Sequence, residues 1–370
     1  MQRAAADGVA EVAGIARRRL HTQRLTGKPF PSPVDTVRWL GAVQSQDYSG
    51  AKWALGQRTR GVIDADIDRL YDEGAILRTH VMRPTWHFVV PEDIRWLLQL
   101  TGPRIRRGLA ARYRELELDD DTIARAAAAF RTALTGGGQM TRPELGEVLN
   151  AAQISPAGQR LPHLLSSAEL DGLIVSGPRR GKQHTYALLD ERAPKGRLIE
   201  RAEAVAELTL RYFRSHGPAQ VQDFVWWSGL TMADARAGIA AAGPAIQREV
   251  IDGTDFWSGA DSPQVNVQGT VAHLLPNFDE YTVGYRDRAG ALHPDHSFDP
   301  TLFSFGSILS NIVTVDGGVR GAWRRALVRE RVIVEIKTMR RLNRAESQAV
   351  DEAARRLGRF LGRPVVVSGL

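Results

Sequence analysis

Two glutamines on either side of one serine, Gln44 and Gln46, are the residues of this chain whose types and spacing best suit chemistry. A glutamine amide does not titrate near neutral pH and is a poor general base, but its oxygen and its two N–H donors can hold and orient a water molecule. Such a water attacks only a bond that has a good leaving group. The N-glycosidic bond of an alkylated purine fits, because the base leaves as a neutral species. The alternative is that both glutamines cap a helix and bond backbone groups.

The elements around the pair must bring both amides to one side. Apolar residues recur at helical spacing through residues 34–43, which predicts an amphipathic helix. Within an unbroken helix, Gln44 and Gln46 would point to different faces. The turn-prone run at residues 47–50 predicts that the helix ends in a polar corner, and this end would let both amides face one groove.

Composition limits the class of protein. A chain of 370 residues, 43% hydrophobic and 25% charged, predicts a folded protein of roughly two to four domains. No segment approaches the run of about 20 apolar residues that spans a membrane, and the N-terminus lacks the apolar core of a signal peptide. A cytoplasmic protein is therefore expected. The absence of cysteine excludes disulfides and cysteine-ligated zinc.

The charge balance favours an anionic partner. The chain has 49 basic and 42 acidic residues, a net charge of +7, and such an excess is typical of proteins that bind nucleic acid. Arginine strongly outnumbers lysine, however, and this excess is also common in proteins from GC-rich genomes. The positions of the arginines therefore matter more than their number.

The first 90 residues predict three helices and a β-hairpin. Beyond the helix before the glutamines, helical spacing predicts helices at residues 8–20 and 64–71, the latter closing at Gly74. Alternating residues at 76–82 and 85–90 predict paired strands. Three helices followed by a hairpin make a winged helix.

A connecting segment follows at residues 91–116. It predicts two helices interrupted at Gly102-Pro103. Arginines in its second half could line a phosphate-facing surface, and the alternative is a solvated helix face. These arginines are Arg104, Arg106, Arg107, Arg112 and Arg114.

Residues 120–190 repeat the first pattern. Helices are predicted at residues 121–134 and 161–170, and Thr141 with Glu144 forms a capping-box pattern between them. Wing strands at 173–176 and 184–188 follow. The tip between them carries Arg179, Arg180 and Lys182, which suits contact with phosphates or serves solubility alone.

A third copy is predicted at residues 198–260. Its helices are expected at 198–214, 220–230 and 231–242, after a linker at residues 191–196. The last of these is predicted to begin with Thr231 as N-cap and Asp234 three residues on. A hairpin at 248–258 is expected to turn at Asp252-Gly253. Trp226 and Trp227 are interpreted as core or interdomain packing residues rather than base-stacking residues.

The pattern changes after residue 262. Short strands are predicted at residues 270–275, 310–315 and 331–337, with a turn at 316–318, and a terminal helix at 346–361 precedes a last strand.

Three stretches of the chain resemble a known family. Residues 40–48, which contain both glutamines, resemble the glutamine-x-glutamine motif of the AlkZ/YcaQ family of winged-helix DNA glycosylases. Residues 82–88 resemble the family's segment after the first winged helix, and residues 274–288 resemble its C-terminal signature. The middle residue of the motif is usually aliphatic and is Ser45 here, which bears on the packing behind the glutamines.

The resemblance and the repeated pattern together predict an α+β fold. We expect about three tandem winged-helix domains followed by a small C-terminal β-barrel-like domain. The predicted boundaries are residues 1–116, 117–192, 193–261 and 262–370.

The resemblance also implies a function. It predicts a monofunctional DNA glycosylase that removes N7-alkylated purines, including bulky adducts or interstrand crosslinks, from double-stranded DNA. Gln44 would orient the attacking water at the deoxyribose C1′, and Gln46 would support that water or the sugar. Asp47 would stabilise positive charge on the sugar or cap a helix, and Tyr48 is a second candidate for support.

Further residues are assigned to DNA or to the groove around the glutamines. Asp279 and Tyr281 face this groove or form a hydrogen-bond network between domains, two alternatives that the sequence leaves open. Trp86 and His87 are the other groove candidates. The expected DNA contacts are Lys52, Arg83, Arg104, Arg107, Arg179, Arg180 and Lys182.

Other site types find little support. His80 and His87 lack a third ligand at metal spacing, and the sequence contains neither a P-loop, a dinucleotide fingerprint nor a hydrolase nucleophile elbow. No lysine is expected at a buried position, which argues against a Schiff-base lyase. We therefore expect no cofactor, metal, membrane or protein partner, and a monomer.

Two other function classes remain as alternatives. A non-enzymatic tandem winged-helix regulator would use the glutamines to read or position DNA. A drug-sequestering resistance protein would bind the alkylating compound without DNA.

Overall fold

The computed structural model describes residues 14–193, 196, 198–262, 265, 269–288 and 311–369. Predictions for residues 8–13, 194–195 and 310 lie outside these residues. The fold is mixed α/β and has two compact units. The first unit comprises residues 1–67, 206–227 and 231–370, and the second comprises 68–205 and 228–230. In the described part of the chain, no helix is both long and apolar enough to cross a membrane.

Most helices lie close to their predicted positions. In chain order they are α1 (residues 14–22), α2 (Pro33–Leu40), α3 (Tyr48–Arg58), α4 (Asp64–Glu73), α5 (Pro91–Glu115), α6 (Asp120–Leu134), α7 (Arg142–Ala151), α8 (Arg160–Leu170), α9 (Leu189–Arg192), α10 (Arg201–His216), α11 (Val221–Ser228), α12 (Met232–Ala242), α13 (Glu280–Val283) and α14 (Arg344–Leu361). Of these, α3, α9 and α13 are helices that the sequence analysis did not predict.

The described strands form two three-stranded sheets, one two-stranded sheet and one five-stranded sheet. In chain order they are β1 (Val43–Gln44), β2 (Leu77–His80), β3 (Trp86–Val89), β4 (Met140–Thr141), β5 (Ile174–Arg180), β6 (Gln183–Leu188), β7 (Ile246–Ile251), β8 (Thr254–Gly259), β9 (Ala272–Leu275), β10 (Ile312–Val315), β11 (Gly318–Val328), β12 (Arg331–Thr338) and β13 (Val365–Ser368).

The C-terminal strands form an open sheet in the order β13-β12-β11-β10-β9, in which only β12 and β13 are parallel. The prediction of a β-barrel-like domain is not confirmed, because among the described residues the edge strands β9 and β13 do not pair with each other. Helix α14 packs on this sheet and buries Val350, Ala353 and Leu357. A sheet whose apolar face is covered by a helix does not need to close on itself.

The segment around the glutamines differs from its prediction. Helix α2 ends at Leu40, because Gly41 adopts a φ of 81° that favours glycine. The run at residues 47–50 opens helix α3 instead of closing a helix, and Asp47 Oδ1 accepts the N–H of Gly50 at 3.0 Å. A Cβ atom at Gly50 would lie 2.7 Å from the other oxygen of Asp47. Glycine at this position therefore makes room for the cap.

Helix α5 is continuous, so the predicted interruption at Gly102-Pro103 is wrong. Pro103 lies inside the helix and removes one backbone donor. Buried side chains on both sides of it, Leu97, Leu98 and Ile105, hold the helix together through packing.

Several local predictions are confirmed. Thr141 and Glu144 form the capping box of α7, and Thr231 forms one with Asp234 at α12. The hairpin of β7 and β8 turns at Asp252-Gly253, where φ is positive at both residues.

The two tryptophans of α11 have different environments. Trp227 is fully buried, as predicted for a core residue, but Trp226 is 43% exposed. Trp226 is therefore not a core residue. Its Nε1 donates to the carbonyl of Val283, which lies in the next predicted domain, so interdomain packing stays a prediction for Trp226.

Candidate active site

The two glutamines lie at the end of β1 and in the short segment before α3. Gln44 is the last residue of β1 and 7% exposed, Ser45 is fully buried, and Gln46 is exposed. The chain bends at Gln46 before α3 begins, so the segment is not the helix end that the sequence predicts. A common side for the two amides stays a prediction.

Asp47 and Tyr48, the residues after the pair, begin α3. The carboxylate of Asp47 caps the helix, and its Oδ2 lies 3.4 Å from the Nδ2 donor of Asn277. The structure therefore contains the capping role that the sequence left as an alternative for Asp47. Tyr48 is half-buried, and its ring centroid is 5.4 Å from Nζ of Lys52.

A buried carboxylate, Glu280, lies behind the motif. Its Oε1 accepts the backbone N–H of Gln44 at 2.9 Å, and its Oε2 accepts the Nε1–H of Trp227 at 2.9 Å. Nε2 of His216 lies 3.4 Å from the same Oε2. Burial lowers the pKa of His216, so its imidazole is neutral near pH 7. Sequence reasoning missed Glu280 and His216 as parts of the site, although Glu280 belongs to the C-terminal signature, because no local pattern joins it to Gln44.

Asp279 and Tyr281 belong to an internal hydrogen-bond network. Asp279 is fully buried and accepts two hydrogen bonds from Arg58, at 2.9 and 2.7 Å. The hydroxyl of Tyr281 donates to the carbonyl of Gly317 at 2.9 Å, and burial raises its pKa above the ordinary value. Of the two sequence alternatives, the network is therefore the one present. Arg58 was not identified from the sequence, because its partner lies 221 positions away.

Lys52 corrects the expectation that no lysine is buried. It is 5% exposed, and its Nζ lies 2.7 Å from Asp64. A buried ammonium that is paired with a carboxylate does not extend to a phosphate, so this arrangement argues against its assignment to DNA.

The cations predicted at the second wing tip differ in exposure. Strand β5 continues through Arg180, so the turn consists of Gly181 and the exposed Lys182. Arg179 pairs with Asp68 at 3.0 Å and Asp72 at 2.9 Å. Arg180 pairs with Glu144 at 2.7 Å and, through this hydrogen bond, lowers the pKa of Glu144 to about 2. Lys182 is thus the best placed of the three for contact with phosphate.

Three arginines of α5 form an exposed row. Arg104, Arg107 and Arg114 lie on one face of the helix, and within the described ranges no carboxylate pairs with them. Arg106 pairs instead with Asp171, and Arg112 pairs with Glu115. Arg83 is half-buried in the loop between β2 and β3. We call Arg104, Arg107 and Arg114 the arginine row.

Trp86 and His87 lie on β3 of the second unit. The ring of Trp86 is half-buried, 4.2 Å from the Arg78 guanidinium and 4.7 Å from the ring of His80. His87 is fully buried, and its Nδ1 is 2.9 Å from the carbonyl of Thr85. The position of His87 is that of a core residue, which argues against its assignment to an open groove.

The hairpin of β11 and β12 carries a surface that sequence reasoning missed. Leu327 and Val328 are 63% and 47% exposed at its tip. The neighbouring Arg324, Arg329 and Arg331 are also exposed. Adjacent apolar and cationic side chains suit contact with a nucleic-acid groove.

Other chemistry can be weighed on the same residues. Within the described ranges, no group of three histidine, cysteine or acidic residues could hold a metal ion. The buried lysine is already engaged by Asp64. The pair of glutamines at the end of β1 and before α3 remains the arrangement best suited to orienting a water molecule.

The class of this protein follows from a family comparison. The model of the family "DNA glycosylase AlkZ-like" matches residues 37–360, and the chain belongs to this family. It is therefore a DNA glycosylase, an enzyme that acts on N-glycosyl bonds. The predictions of family and enzyme class are confirmed.

Two comparisons with individual proteins agree with this result. An interstrand DNA cross-link repair glycosylase from Streptomyces sahachiroi is 24% identical over 327 residues, covering 82% of this chain and 85% of the relative. The structure of Streptomyces sahachiroi DNA glycosylase AlkZ matches with a TM-score of 0.78 at 22% identity, over 96% of this chain and 99% of that one. At this identity, the structural match shows a shared fold.

Proposed function

We propose that this protein is a monofunctional DNA glycosylase that hydrolyses the N-glycosidic bond of N7-alkylated purines in double-stranded DNA. The observation that supports the proposal is the position of Gln44 at the end of β1 and of Gln46 in the short segment before α3, with Ser45 buried between them. Gln44 orients the water that attacks the deoxyribose C1′, and Gln46 supports this water or the sugar.

Hydrolysis of this glycosidic bond needs little help from a general base. An N7-alkylated purine is cationic, and when the bond from its N9 to C1′ breaks, the base takes the electron pair and leaves neutral. The water oxygen then bonds to C1′ and releases its proton to solvent. The amide oxygen of a glutamine accepts a hydrogen bond from this water and fixes its direction. The pairing of the buried Lys52 with Asp64 supports a hydrolytic route over a lysine Schiff base.

The lesion is part of the proposal. The Streptomyces sahachiroi relative is named as an interstrand cross-link repair glycosylase. We extend this substrate class, together with bulky N7 adducts, to the present chain.

The order of helices and hairpins along the present chain supports three winged-helix domains at residues 1–116, 117–192 and 193–261.

Basic side chains supply the expected contacts with DNA. The arginine row, Lys182 and the tip of the β11–β12 hairpin are exposed and cationic. Contacts with phosphates release counterions, so duplex affinity should fall steeply as salt rises. These contacts position the duplex without selecting a sequence.

The test is single-turnover base release from a duplex that carries N7-methylguanine, read as strand cleavage after alkaline treatment. We expect Gln44→Ala to lower the rate by about 100-fold or more, as loss of one well-placed polar group at a reacting centre does, with duplex affinity unchanged. Gln247→Ala is the matched control, because Gln247 is an exposed glutamine on β7.

Two results would overturn the assignment. Equal losses of rate and duplex affinity in Gln44→Ala would give Gln44 a structural role. Absence of release by the wild type, from both this duplex and one with an N7-linked interstrand crosslink, would refute the proposed substrate class.

A further inference from the structure

The backbone of Gln44 is held by a side chain from a distant part of the sequence. We infer that Glu280 is a positioning residue, which sets the place of Gln44 by accepting its backbone N–H. The inference rests on the proposed function, because it acts through the water that Gln44 orients. Glu280 lies 236 positions from Gln44 and is fully buried.

The segment that carries Gln44 has little regular structure of its own. Strand β1 has two residues, and it begins two residues after Gly41, whose φ is 81°. A buried N–H needs a partner, and a carboxylate is a stronger acceptor than a neutral group. The 2.9 Å bond from Gln44 to Oε1 of Glu280 is therefore one of the contacts that fix the position of Gln44. A shift of about 1 Å at a reacting centre is enough to cost a large factor in rate.

Glu280 is itself held at several atoms. Its Oε2 accepts the Nε1–H of Trp227 at 2.9 Å, and its backbone carbonyl accepts from Nε2 of Gln23 at 3.3 Å. The preceding residue, Asp279, is bound by two hydrogen bonds from Arg58. The carboxylate is thus a fixed point to which the motif can be anchored.

His216 completes the support of the same oxygen. Its Nδ1 lies 2.7 Å from Oγ of Ser215, and its Nε2 lies 3.4 Å from Oε2 of Glu280. A neutral ring with its proton on Nε2 donates to Glu280. Because Trp227 and His216 both contact Oε2, the other oxygen, Oε1, accepts the backbone N–H of Gln44.

The variant that separates positioning from simple packing is Glu280→Gln. It keeps the size of the side chain, but an amide has one acceptor oxygen and cannot accept from Gln44 and Trp227 with both of its terminal atoms. Trp227→Phe is the matched control, because it removes the donor to Oε2 and leaves the bond to Gln44. We expect Glu280→Gln to lower single-turnover base release by about 10-fold or more at unchanged duplex affinity, and Trp227→Phe to lower it less.

A double-mutant cycle shows whether Glu280 acts through Gln44. Adding Glu280→Gln to Gln44→Ala should change the rate no further, because the group that Glu280 positions is already gone. Multiplicative losses would overturn the inference while the role of Gln44 stands. If Gln44→Ala alone is as active as the wild type, the proposed function and the inference both fail.

Hydrogen exchange of the Gln44 amide in the full chain tests the contact without any substrate. Glu280→Gln should accelerate this exchange, and Trp227→Phe should leave it close to the wild type. Unchanged exchange in Glu280→Gln would overturn the inference, whatever the rate of base release.

Discussion

The ion pair between Arg58 and Asp279 makes a quantitative prediction about stability. Both side chains are buried, at 1% and 0% exposure, and all five N–H donors of the guanidinium are used. Two go to Asp279, two to the carbonyl and side chain of Gln23, and one to the carbonyl of Ala54. Asp279→Asn removes the negative charge and turns an N–H₂ group toward one of these donors. The arginine is then a buried charge without its counter-charge.

The expected cost follows from this burial. Breaking a buried, hydrogen-bonded ion pair by removing one partner costs about 3–5 kcal/mol of unfolding free energy, mainly because the other charge stays behind. Changing Arg58→Met as well removes that charge. The double variant should therefore be more stable than the sum of the two single losses predicts, with a coupling of about 2 kcal/mol or more.

The assay is urea unfolding, followed by circular dichroism and by tryptophan fluorescence. Coincident transitions are needed before free energies are compared. Arg355→Ala is the control, because Arg355 pairs with Asp351 on the same unit while 65% and 37% exposed. A solvent-exposed pair of this kind is worth about 0.5 kcal/mol.

The reasoning about the ion pair would be refuted by a small or additive effect. A loss below about 1 kcal/mol in Asp279→Asn would mean that the charge of Arg58 is compensated without Asp279. Strict additivity in the double variant would show that the two groups do not stabilise each other.

Three further predictions concern the second unit. Thr141→Ala removes the capping box of α7 and should cost about 1 kcal/mol in thermal unfolding, whereas an unchanged Tm would contradict this role. Burial lowers the pKa of His184 from 6.5 to about 4, so its contribution to stability is present above pH 6.5 and is lost as the pH falls toward 4. The urea midpoint should fall over this range, less steeply in His184→Gln; equal slopes would contradict the assignment. Replacing the arginine row by alanine should reduce the slope of the logarithm of the duplex association constant against the logarithm of salt concentration by about 2–3. An unchanged slope would show that other residues contact the phosphates.

The sequence alone determined features that depend on neighbouring residues. The capping boxes at Thr141 and Thr231 and the turn at Asp252-Gly253 were predicted and are present. Each depends on interactions between residues within three or four positions of one another, and such short patterns can be recognised in the sequence. Family and enzyme class also followed from short stretches in order, since the family comparison confirms them.

Other features needed the tertiary structure, because they join distant residues. The ion pair of Arg58 with Asp279 joins residues 221 positions apart, and the bond from Gln44 to Glu280 joins residues 236 positions apart. No local sequence pattern predicts either contact. Whether the C-terminal sheet closes depends on where its edge strands lie, and α14 covers it instead.

The motif itself shows both kinds of information. The types and spacing of Gln44 and Gln46 were sufficient to suggest a water held by amides. The backbone around the two glutamines was decided by Gly41, which ends α2, and by Asp47, which caps α3. The backbone N–H of Gln44 is bound by Glu280, 236 positions away, and only the folded chain brings these two residues together.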